Sequence, residues 1–176
     1  MSNPTILIIE DQKSMADLIQ ETLTLETDYR ILLADSFNKA KKIIEADEKI
    51  TVCITDLNLP DAEEGATVPL LRKHNITTVV LTANFTEETR QRMFAERVAD
   101  YVIKDGMSAI KYAVKTVINL VENEQHHIWM FSSLSKNSKR LMGLLNIHRY
   151  RVSMFESVNE MLSMLEYKSP DLMILN

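Results

Sequence analysis

Apolar residues in the first two thirds of the chain fall into short runs separated by longer amphipathic stretches. The short runs, Thr5–Ile9, Arg30–Ala34, Ile50–Thr55, Thr77–Thr82 and Asp100–Ile103, have the length of strands. Several of them, "TILII" and "TTVVLT" among them, are apolar at nearly every position. That is the pattern of strands covered on both faces. Between them, Ser14–Leu25, Ser36–Ala46, Ala66–Lys73, Glu87–Arg97 and Ser108–Glu122 repeat at helical spacing. In the last stretch Ile110, Val114, Val117, Ile118 and Val121 share one helical face. Five strands alternating with five helices predict an α/β fold, a doubly wound five-stranded parallel sheet with right-handed crossovers. The flavodoxin-like strand order 2-1-3-4-5 is expected, with ligands at the carboxyl ends of the strands.

A polar break, "ENEQHH", follows Val121, and then the pattern restarts as an internal repeat. "YRILLADSFNKAKKII" from Tyr29 matches "YRVSMFESVNEMLSML" from Tyr150, and "ILIIED" from Ile6 matches "IWMFSS" from Ile128. "CITD" ending at Asp56 matches "MILN" ending at Asn176. The offset stays between 120 and 122 positions across all three elements, which chance does not readily give. Residues 1–124 therefore read as a complete domain and residues 125–176 as a partial second β-α-β-α-β unit. Ser157 with Glu160 predicts a capping box within it.

Composition narrows the function. The chain is globular, at 45% hydrophobic and 26% charged residues, and its net charge of −5 argues against nucleic-acid binding. Its N-terminus, "MSNPTILIIEDQ", lacks a basic region and an apolar run long enough for a signal peptide or a membrane span. A cytoplasmic location without membrane contact is expected. Cys53 is the single cysteine and has no neighbours at metal-ligand spacing, so it reads as a buried thiol.

The chemistry gathers at the strand ends. The first strand ends in Glu10-Asp11, the third in Asp56, the fourth in Thr82 and the fifth in Lys104. With strands one and three adjacent, three carboxylates converge and repel one another. A hard cation such as Mg²⁺, held by carboxylates and water, relieves the repulsion and leaves room for phosphoryl oxygens. Asp56, central in the cluster, is the candidate nucleophile, giving an aspartyl phosphate. The Lys104 ammonium, the Thr82 hydroxyl and the Ala83 backbone N–H are placed to stabilise charge on the transferring group.

These residues resemble the receiver domains of two-component response regulators. "ILIIEDQ" carries the acidic pair and "ITDLNLPD" the phosphoacceptor segment, while "VLTAN" and "DYVIKDG" carry the switch residues and the lysine. The resemblance covers roughly residues 4–124. It implies that Asp56 accepts a phosphoryl group from a sensor histidine kinase or a phosphotransfer protein. It also implies that Asp11 and Asp56 bind Mg²⁺ directly, Glu10 through water, and Asn58 through its backbone carbonyl. By the same resemblance, Tyr101 is the aromatic expected to change rotamer when Thr82 moves, altering the surface from Glu87 through Val121. The family usually has a proline after the lysine, in a cis bond. Asp105 stands there in this chain, so a trans bond and a differently placed loop are expected.

The second repeat resembles a degenerate receiver. Ser132 and Ser133 replace the acidic pair and Asn176 replaces the phosphoacceptor, so no metal site or nucleophile is expected there. Families with this tandem order often end in a diguanylate cyclase output, and the chain is expected to continue beyond Asn176 into an output domain. Catalysis in these residues is limited to self-phosphorylation. The open edge of the last strand makes a homodimer through residues 125–176 a further expectation. Two alternatives stay open. One is a Mg²⁺-dependent phosphatase or phosphotransferase, although such hydrolases commonly carry an acid at the position held by Asn58. The other is a protein-interaction module that takes no phosphate. His126-His127 read as a polar linker without partner acids, His74 and His148 as surface or packing residues, and Trp129 as core.

Overall fold

The apolar runs form a parallel sheet in which four of the five strands deliver functional side chains to the same edge. The structure, a computed structural model, describes residues 3–46, 49–132 and 135–175. The chain divides into two units, Met1–Val121 and Glu122–Asn176. The first contains β1 (Thr5–Ile9), α1 (Lys13–Glu26), β2 (Arg30–Ala34), α2 (Phe37–Glu45) and β3 (Ile50–Thr55). It continues with α3 (Thr67–Lys73), β4 (Thr77–Thr82), α4 (Glu87–Ala95) and β5 (Asp100–Ile103), and α5 (Gly106–Asn123) follows. The strand order is β2-β1-β3-β4-β5, all parallel, as expected of a doubly wound sheet.

Burial explains why the strands are apolar throughout. Leu7, Ile9 and Cys53 face one side and pack with Ala40 and Ile44 of α2 and Leu71 of α3. Ile6 and Ile8, pointing the opposite way, are equally inaccessible, so the second face is covered too. The α5 stripe of Ile110, Val114, Val117, Ile118 and Val121 is buried as its spacing implies. Cys53 is fully buried, and burial pushes its thiol pKa well up, which suits an inert thiol.

The second unit repeats the first half of this plan. β6 (His127–Phe131), α6 (Lys136–Ile147), β7 (Arg151–Phe155), α7 (Val158–Leu165) and β8 (Leu172–Leu175) build a parallel sheet in the order β7-β6-β8. Its core centres on Trp129, fully buried with its ring centroid 4.9 Å from that of Phe155, together with Met161.

Two expectations fail in this unit. Ser157 precedes α7 but makes no side-chain capping bond; only its carbonyl accepts, from the Met161 N–H at 3.1 Å. The hydroxyl caps form at Thr86 of α4 and Ser135 of α6. His127 is not in a linker. It opens β6, its Nε2 lies 2.8 Å from Ser153 Oγ, and its N–H donates to Asp171 Oδ2 at 2.6 Å. Asp171 is also the acid beside His126, at 3.6 Å. A long-range pairing of β6 with the turn before β8 overrode the local polarity. Ser133 and Asn176 lie outside the described residues.

Candidate phosphoacceptor site

The sheet ladder holds the backbone of the functional residues beyond the last regular strand positions. The Glu10 N–H donates to Ala34 O, the Asp56 N–H to Ile9 O (both 2.9 Å) and the Lys104 N–H to Thr82 O (2.8 Å). Glu10, Asp56 and Lys104 therefore start from rigid backbone, and strand pairing alone brings them side by side. Asp11, one residue further, is exposed.

Three carboxylates meet there. Glu10, Asp11 and Asp56 each offer an oxygen, and these lie within 4.8 Å of one another. Glu10 and Asp56 are buried, and the Lys104 ammonium sits 2.6 Å from Glu10 Oε2 and 2.6 Å from Asp56 Oδ2. Burial works against the charge on Lys104, but the hydrogen bonds to Asp56 and Glu10 outweigh it and raise its pKa. Burial raises the pKa of Glu10, and its bond to Lys104 only partly opposes the rise.

Asp56 is held in a fixed orientation. Its Oδ1 accepts from the Leu57 N–H at 2.6 Å and the Asn58 N–H at 3.3 Å, while Oδ2 turns to Lys104. An all-oxygen cluster that already binds one buried cationic group suits a hard divalent cation, so the residues present fit Mg²⁺.

The other expected residues are also in place. Thr82, fully buried at the end of β4, accepts a long 3.4 Å bond from the Asn84 N–H through its hydroxyl. The Tyr101 ring is buried, its hydroxyl donates to Asn84 O at 2.9 Å, and Phe85 packs edge-on with a centroid separation of 6.2 Å. Asn84 thus touches Thr82 through its N–H and Tyr101 through its carbonyl. Sequence reasoning missed this, because the groups involved are backbone atoms and any residue could supply them.

The loop after Lys104 shows how the missing proline is accommodated. No cis peptide bond occurs among the described residues. The Asp105 N–H, a donor that proline lacks, bonds to Ile103 O at 2.8 Å. Gly106, at φ +74°, then turns the chain into α5. The tight turn keeps the Lys104 side chain in the acidic cluster.

Comparison with known proteins agrees with this geometry. Residues 6–115 match the family described as the response regulator receiver domain. The transcriptional regulatory protein KdpE of Staphylococcus aureus is 26% identical, over 87% of this chain and 75% of its own. The sensor histidine kinase TmoS of Ectopseudomonas mendocina is 31% identical, over 57% of this chain and 10% of its own. A crystal structure of a two-component system response regulator/GGDEF domain protein superposes with a TM-score of 0.82 at 29% identity. That similarity covers 93% of this chain and 66% of the other, so the chain spans about two thirds of that neighbour. Sheet order, strand-end residues and family match together place this chain in the response regulator receiver domain family, the signalling module of two-component systems.

Proposed function

We propose that Asp56 accepts a phosphoryl group from a phosphohistidine of a sensor histidine kinase or phosphotransfer protein. A carboxylate oxygen of Asp56 attacks phosphorus, the P–N bond breaks, and the imidazole leaves as the new acyl phosphate forms. The observation that supports this most is the buried Asp56, oriented by two backbone N–H groups and facing Lys104 at 2.6 Å. Asp11, Asp56 and the Asn58 carbonyl would hold Mg²⁺, with Glu10 acting through water. When bound, that ion supplies positive charge for the transferring oxygens. Lys104 exchanges one of its carboxylate contacts for a phosphoryl oxygen.

Thr82 then turns its hydroxyl to the phosphoryl group and gives up its long bond with Asn84. Because the Asn84 carbonyl holds Tyr101, the loop and the aromatic ring shift as a population, changing the surface around Tyr101. The similarity to a response regulator/GGDEF domain protein favours a diguanylate cyclase as the output that this surface regulates. Residues 125–176 serve as the first half of a degenerate receiver, with Ser132 at the position of Glu10. This unit is the proposed contact between two copies of the chain.

The test is incubation with acetyl phosphate and Mg²⁺ followed by intact mass measurement. Wild-type protein gains one phosphoryl group, and Asp56→Asn or chelation of Mg²⁺ abolishes the gain. An equal adduct on Asp56→Asn moves the site elsewhere.

A further inference from the structure

The loop between β3 and α3 carries Asn58, and its far end is fastened to a helix remote in sequence. Asp61, five residues after Asp56, accepts from the Phe37 N–H at 2.8 Å and from the Asn38 N–H at 3.0 Å. The Asn38 side-chain amide adds a third bond at 2.9 Å. These two backbone N–H groups open α2 and have no partner inside the helix. Ser36, the local cap residue, makes no capping bond; its hydroxyl donates instead to Asp35 at 3.1 Å. Asp61 is therefore the cap of α2, supplied from another loop, and its charge suits the helix N-terminus. The bonds from Asn38 and Phe37 hold its carboxyl below the ordinary aspartate range.

The same segment is anchored elsewhere. Leu57 is buried, and its carbonyl accepts the Gly65 N–H at 2.9 Å, closing the base of the loop. Leu59 is buried in the cluster with Ala40 and Ile44, against which Phe37 packs. Phe37 thus meets the loop twice, through its N–H at Asp61 and through the apolar cluster that includes Leu59. Asn58 lies between these fastenings and is itself exposed, so its carbonyl depends on them for position.

We infer that Asp61 is a positioning residue for the Mg²⁺ site, clamping the Asn58 segment to the start of α2. This rests on the phosphoacceptor reading above. It also makes α2 a mechanical partner of the site, although none of its residues reaches the carboxylates.

Calorimetric Mg²⁺ titration of wild type, Asp61→Ala, Asp61→Asn and Ile118→Val tests it. Asp61→Ala raises the Mg²⁺ dissociation constant about tenfold, the low end of what outer-shell supports contribute. Asp61→Asn keeps one acceptor oxygen and falls between. Ile118→Val loosens the buried face of α5, outside the cluster that holds Leu59, and leaves the constant unchanged, which separates positioning from general destabilisation. Wild-type affinity in Asp61→Ala, or equal weakening in Ile118→Val, overturns the inference while the phosphoacceptor reading stands. A wild type that binds no Mg²⁺ overturns both.

Discussion

Lys104 holds two buried carboxylates at once, and removing it shows what the cluster costs. Lys104→Met leaves Glu10 and Asp56 facing each other without a counter-charge. We expect a loss of about 3 kcal/mol at neutral pH, the size seen when one partner of a buried pair is removed. The sign with pH follows from the raised pKa of Glu10. On acidification the native state takes up a proton at Glu10 before the unfolded chain does, so the deficit of the variant shrinks. In alkali the order reverses. The stabilisation from Lys104 is complete below its ordinary value of 10.5 and is lost as pH rises through its raised native value, a limb that the variant lacks. Urea midpoints across pH check both limbs, and an unchanged midpoint at neutral pH would contradict the picture. At this scale the sequence was legible where chemistry needs a side chain. Glu10, Asp11, Asp56, Thr82 and Lys104 all stood at strand ends, and Tyr101 was marked by the family resemblance. Asn84 and Asp61 were not legible, because one acts through its backbone and the other caps a helix more than twenty residues away.

At the scale of elements, all five strands of the first unit match their apolar runs, and its helices begin and end within about two residues of the periodic stretches. Continuous burial of β1, and near-complete burial of β3 and β4, made the central strands unambiguous. The second unit was harder to read. His127 is polar yet opens a strand, because pairing to β7 and the Asp171 bond decided its place. β8 occupies the repeat position of β3 but lives differently. β3 is flanked by β1 and β4 and is mostly buried, while β8 pairs, among the described residues, only with β6 and leaves Leu172, Met173 and Leu175 exposed. An open apolar edge invites pairing with a second copy. Residues 1–176 should therefore give a dimer mass by light scattering at high concentration, and Leu175→Lys should shift it to the monomer. A monomer in the wild type at every concentration would remove the proposal.

At the scale of the whole molecule, two sheets of unequal strength share one chain. The first has five strands and a fully buried β1 within it; the second has three, with Trp129, Phe155 and Met161 at its centre. A unit near fifty residues is marginal in the surface it can bury. Trp129 is the single tryptophan and is fully buried, so its fluorescence reports the second unit alone. In urea its midpoint should fall below that of far-UV circular dichroism, and Mg²⁺ should raise only the later transition, since it binds the first unit. Coincident midpoints moved together by Mg²⁺ would show one cooperative body instead. None of the described helices is long and apolar enough to cross a membrane. The central claim is that Asp56 is the residue that takes the phosphoryl group. Borohydride reduction after treatment with acetyl phosphate and Mg²⁺, followed by peptide mass mapping, tests it most directly. The account predicts homoserine at Asp56 in the tryptic peptide of residues 50–72, and reduction elsewhere or nowhere would contradict it.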